Sequence, residues 1–159
     1  MKSVLFVCLG NICRSPTAEG VFRKIVNDTG YSNQISIESA GTSNWNIGLS
    51  PDSRAISAAL NRGIDISALK ARQVSAKDLA DYDYILAMDK QNQQTLMTLA
   101  NHANGNGDNI KLFMSFADQF DEIEMPDPYN GGEQGFDKVL DMIMDASEGL
   151  LKRILIDDG

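Results

Sequence analysis

Residues 7–16 read VCLGNICRSP: an apolar run ends on a thiol, glycine and asparagine follow in a short loop, and an arginine precedes Ser15 and Pro16. Upstream, Ser3–Val7 is continuously apolar and β-branched, the pattern of a strand covered on both faces in a parallel sheet. Downstream, Ser15 has the chemistry of an N-cap and Pro16 that of a first helical residue. Ala18, Val21, Phe22, Ile25 and Val26 then recur at helical spacing, which predicts a helix over 16–27 with one face turned to a core. The unit is strand, tight loop, helix.

The same alternation continues along the chain. Strands are expected over Ile35–Ser39, Tyr82–Met88 and Ile110–Met114. Helices are expected from Ser50 and Pro51 to Gly63, over Lys90–Ala103, and along the apolar series from Phe136 to Leu151. Strands alternating with helices indicate an α/β sandwich with a mostly parallel central sheet, and 159 residues suit a single domain, 1–159. Ligands in such folds sit beyond the carboxyl ends of the strands. The polar stretch 101–109, NHANGNGDN, reads as a solvated turn, whereas 124–135, EMPDPYNGGEQG, places an aspartate and a tyrosine among prolines and glycines.

Composition narrows the partners. Fourteen basic and 22 acidic residues leave a net charge of -8, which repels nucleic acid and anionic lipid at long range. No apolar run approaches the roughly 20 residues of a membrane span, and the apolar stretch before Gly10 is too short for a signal peptide. The expectation is a cytoplasmic protein that binds neither nucleic acid nor membrane. Any anion it binds must be held by a local site.

Residues 8–15 have the makings of one. Cys8 falls at the carboxyl end of the first strand, and the loop Leu9, Gly10, Asn11, Ile12, Cys13 leads to a helix start, where free N–H groups and the positive dipole end attract a phosphate-like dianion. Glycine and asparagine tolerate positive φ, so successive N–H groups can turn inward as a nest. The same donors favour a thiolate, and Arg14 offers a planar fork for two phosphoryl oxygens. The bland alternative treats Cys8 as a small buried hydrophobe and Arg14 as a surface charge; the strand–loop–helix context favours the site. A nucleotide-binding Walker loop is excluded, because no Gly-Lys-Ser/Thr ending is present.

VLFVCLGNICRSPTAEGVFRKIV, SAGTSNW, KARQV, DYDYILAMDKQN and MPDPYNGGEQGF, in this order, resemble the low-molecular-weight protein tyrosine phosphatases across essentially the whole chain. The resemblance implies a three-layer sandwich around a four-stranded parallel sheet, and hydrolysis of phosphotyrosine or aryl phosphates through a phosphocysteine. It implies Cys8 as nucleophile, Arg14 as phosphate binder, Asn11 as loop brace, Ser15 as thiolate support and Asp127 as general acid. Trp45 and Tyr129 match rim aromatics, and Cys13 matches a second loop cysteine able to trap an oxidised nucleophile. It implies no cofactor or metal, phosphotyrosine proteins as substrates, inorganic phosphate as product, and a tyrosine kinase as a candidate partner.

Residue chemistry alone leaves several of these open. Asp127 is one of 22 acidic residues, although the sole histidine, His102, lies in the polar stretch and does not recommend itself as the proton donor. Trp45 and Tyr129 could be amphipathic surface residues, and Cys13 could simply pack. Two positions depart from the family. Leu69 stands where many relatives carry a histidine that supports the loop asparagine, and Asn130 follows Tyr129 where a second tyrosine is frequent. A thiol-dependent arsenate reductase needs further relay cysteines that this chain lacks. A silent phosphate-binding module needs neither thiol nor acid.

Overall fold

The computed structural model describes residues 1–158, without the side chains of residues 130, 133 and 158. Four strands, β1 (Lys2–Cys8), β2 (Ile35–Gly41), β3 (Tyr84–Ala87) and β4 (Ile110–Leu112), form one sheet in the order β2-β1-β3-β4. All three pairings are parallel. The expected four-stranded parallel sheet is therefore present, with β1 in an inner position. Alternation along β1 separates two cores. Val4, Phe6 and Cys8 join the cluster with α1 (Arg14–Asp28) and α5 (Gly132–Asp158), whereas Leu5 and Val7 face the cluster that holds Leu79, Leu96 and Ala100. Leu96 and Ala100 belong to α4 (Lys90–His102), so helices cover both faces and the run VLFV is apolar throughout. Phe6 anchors the first core edge-on to Phe22, centroids 5.7 Å apart, and to Phe113, 5.0 Å apart.

Several boundaries differ from the sequence reading, for identifiable reasons. Helix α1 opens at Arg14, not Pro16, because the Ser15 hydroxyl is drawn to Cys8 and Asn11 instead of capping; Cys13 takes the N-cap position without a side-chain bond. Pro16 sits in the first turn, where its missing N–H costs nothing. The second helix, α2, is shorter than expected, Ser53–Leu60: Asp52 caps it by accepting the Arg54 N–H at 2.8 Å. A six-residue helix, α3 (Ala76–Asp81), escaped the pattern because six residues give no helical period, although its Ser75/Asp78 capping box was readable. Strand β4 stops at Leu112 and the chain turns into a 3₁₀ segment, Phe113–Phe116.

Candidate active site

The sulfur of Cys8 sits where β1 ends, and the loop behind it is pinned from outside. The carbonyls of Cys8, Leu9, Gly10 and Ile12 accept from Thr42 N, Ser43 N, Asn46 Nδ2 and Asp52 N at 2.9, 3.0, 3.0 and 2.8 Å. In a trans peptide the N–H lies opposite the C=O, so the N–H groups of Leu9, Gly10, Asn11 and Cys13 turn to the enclosed side. Asn11 makes this possible by adopting φ 54°, the left-handed region that asparagine tolerates. Its N–H then reaches Cys8 Sγ at 3.3 Å. An anion nest at the start of α1 is the result.

Behind the nest, a buried chain of hydrogen bonds has a fixed direction. The Arg72 N–H donates to Asn11 Oδ1 at 3.0 Å, which settles the amide orientation and points Nδ2 at Ser15 Oγ (2.7 Å) and Ser39 Oγ (3.1 Å). Ser39 in turn donates to the Glu19 carboxylate at 2.6 Å, and Arg23 balances that carboxylate at 3.0 Å. With its oxygen accepting from Asn11, Ser15 has one proton to give; Cys8 Sγ lies 3.0 Å away and the Ala40 carbonyl 3.4 Å. Cys8 Sγ thus lies within hydrogen-bond reach of both the Ser15 hydroxyl and the Asn11 N–H. Leu69 packs against the hydrophobic core. The support of Asn11 comes from Arg72 and Ser39.

Arg14 is almost wholly buried and oriented from behind. Its Nη1 donates to Asp89 Oδ2 at 2.8 Å and to the Met125 carbonyl at 2.9 Å, while Nη2 lies 3.7 Å from Asp127 Oδ2. Asp89 is itself fixed as the N-cap of α4 through Asn92 N at 2.7 Å. The Met125 N–H is tied to the Met88 carbonyl, which carries the segment bearing Asp127 to the carboxyl end of β3. Cys8, Leu9, Gly10, Ile12, Cys13, Arg14, Trp45, Asn46, Asp127 and Tyr129 line one pocket of about 270 Å³. Asn11 and Ser15 stand behind its floor. Trp45 is 72% exposed and Tyr129 50%, so neither is core packing. Both cysteines are free and buried. Burial, reinforced by the charges of Asp52, Cys8 and Asp127, pushes the Cys13 thiol up to about 12.

Glu19, Ser39, Asp89 and Asn46 were missed by the sequence reading. For Glu19 one signal existed: Ser15, Glu19 and Arg23 are spaced four apart, one face of a helix. The others come from distant segments and carry no local mark.

Residues 3–157 match the family described as low molecular weight phosphotyrosine protein phosphatase. The chain belongs to this family. The phosphatase of this name from Sus scrofa is 42% identical over 153 residues, 96% of each chain. The crystal structure of YfkJ from Bacillus subtilis is similar with a TM-score of 0.92 and 39% identity, covering 100% of this chain and 98% of that one. That of DARP, the drosophila arginine phosphatase, gives 0.89 and 33%, covering 97% and 98%. The protein is thus a protein tyrosine phosphatase, a hydrolase of phosphoprotein substrates, on an α/β fold. Among the described residues no helix is long and apolar enough to cross a membrane.

Proposed function

We propose that residues 1–159 act as one catalytic unit that hydrolyses phosphotyrosine and aryl phosphate monoesters in two steps. Cys8 Sγ attacks phosphorus, the bond to the phenolic oxygen breaks, and Asp127 gives its proton to the departing oxygen. Water then attacks the phosphocysteine, Asp127 takes the proton of that water, the S–P bond breaks, and inorganic phosphate leaves with the thiolate restored. Arg14 and the nest N–H groups hold the equatorial oxygens as charge redistributes. The observation that carries this reading is the Cys8 sulfur, held by the Asn11 N–H and the Ser15 hydroxyl on the floor of a pocket that Arg14 and Asp127 also line. Turnover of a phosphotyrosine peptide but not of phosphoserine or phosphoarginine peptides, with no arsenate reduction, is the expected result. Equal turnover of phosphoarginine would redirect the substrate assignment.

Asp127→Asn is expected to lower kcat/KM for phenyl phosphate roughly 10²-fold, and for p-nitrophenyl phosphate far less, because only the poorer leaving group needs a proton in the transition state. A uniform loss would assign Asp127 to binding. Trp45→Ala should raise KM for aryl substrates about three- to tenfold and leave inhibition by phosphate within about twofold, since phosphate has no ring to stack. Equal effects on the two ligands would remove Trp45 from the rim.

Cys13 is assigned as a redox partner. A peroxide converts the Cys8 thiolate to a sulfenic acid, and the Cys13 sulfur displaces its hydroxyl as water to form a disulfide. Because Cys13 is held up at about 12, it stays a thiol at neutral pH and leaves alkylating agents to Cys8. Mild peroxide should inactivate the enzyme reversibly, with a Cys8–Cys13 disulfide in peptide maps, and Cys13→Ser should recover poorly on addition of dithiothreitol. Full recovery of that variant would leave Cys13 a packing residue. Two free thiols fit a reducing compartment, the cytoplasm, where a tyrosine kinase must supply the substrates.

A further inference from the structure

Arg54, the second residue of α2, lies outside the phosphate loop yet joins both walls of the pocket. Its guanidinium forks onto Asp52, Nε to Oδ1 at 3.1 Å and Nη2 to Oδ2 at 3.0 Å. The backbone N–H of Asp52 donates to the Ile12 carbonyl of the loop at 2.8 Å. The same guanidinium lies over two aromatic rings, 5.1 Å from the Tyr129 centroid and 5.0 Å from that of Phe136. Phe136 is buried, whereas Tyr129 is half exposed and has no core to hold it. Tyr129 N–H in turn donates to Asp127 Oδ1 at 3.1 Å. A continuous line of contacts therefore runs from the phosphate loop through Asp52, Arg54 and Tyr129 to Asp127. Arg54 also holds the Asp52 carboxyl below the usual carboxylate range by hydrogen bonding, so the pair stays charged at working pH.

We propose that Arg54 is a positioning residue: it clamps the Tyr129 ring to the fixed Phe136 and thereby sets both the aryl-binding wall and the aim of the Asp127 carboxyl. An exposed ion pair alone contributes little, but a planar cation can fork onto a carboxylate in its plane and stack on rings above and below. A lysine ammonium cannot do both. The second half of the clamp rests on Asp127 as the general acid.

The test is a double-mutant cycle between Arg54→Ala and Tyr129→Ala, with Arg54→Lys and Asp127→Asn alongside and melting temperatures as fold controls. Arg54→Ala should lower kcat/KM about tenfold for phenyl phosphate and about threefold for p-nitrophenyl phosphate, while the inhibition constant of inorganic phosphate moves less than about twofold. Arg54→Lys should resemble Arg54→Ala. In the Tyr129→Ala background, loss of Arg54 should cost less than about twofold more, because the ring it holds is gone. Equal factors in the two backgrounds overturn the clamp. So does a rise in the phosphate constant that matches the fall in kcat/KM, since Arg54 would then act only through Asp52 and the loop. Should Asp127→Asn show no leaving-group selectivity, the acid assignment fails on its own, and the cycle still decides whether Arg54 holds Tyr129.

Discussion

Cys8→Ser is expected to lower turnover at least about 10⁴-fold while phosphate and phosphotyrosine peptides still bind. The binding elements do not involve the sulfur: the nest N–H groups are aimed by carbonyl contacts with Thr42, Ser43, Asn46 and Asp52, and the guanidinium is aimed by Asp89 and Met125. A serine hydroxyl is a far weaker nucleophile than a cysteine sulfur, so attack on phosphorus fails while binding persists. Rapid quench with labelled substrate should trap phosphate on Cys8 of the parent and none on the variant. Turnover like that of the parent in Cys8→Ser would end the phosphocysteine reading.

Arg14→Lys should be nearly as damaging, roughly 10²- to 10³-fold in kcat/KM, despite keeping the charge. In the parent, Nη1 is committed to Asp89 and the Met125 carbonyl, which leaves the remaining edge of the fork for phosphoryl oxygens. An ammonium is a point charge and cannot satisfy Asp89, Met125 and two oxygens at once. Inhibition by inorganic phosphate should weaken alongside kcat/KM, in contrast to Asp127→Asn. An Arg14→Lys variant within threefold of the parent would show that charge alone suffices.

The strand–loop–helix unit around VCLGNICRSP was legible because its signals are local: a buried apolar strand, a Gly-Asn loop and a proline in the first helical turn. The parallel sheet followed from alternation of strand and helix. Ser15 was legible as a residue of importance, but the cap role read for it does not hold, since its hydroxyl serves Cys8 and Asn11 from seven and four residues away. Asp89 could not be found at all by pattern: it meets Arg14 across 75 positions of chain, and an aspartate opening a helix reads as a cap, which it also is. Arg54 likewise meets Tyr129 and Phe136 only through distant segments. Long-range pairing, not residue chemistry, is what the linear sequence withholds.

The line Ser15, Glu19, Arg23 turns helix α1 into a measuring device as well as a scaffold. Ser15, Glu19 and Arg23 each stand about one turn on from the last, so bracing of the loop through Asn11, Ser39 and Glu19 depends on the count of residues between Ser15 and Glu19. Adding or deleting one residue there would rotate everything beyond it by about 100° and swing Glu19 away from Ser39. Substitutions on the outer face of α1 leave that count intact. Among variants of this protein, insertions and deletions between Ser15 and Glu19 should therefore be absent even where side chains on the outer face of α1 change.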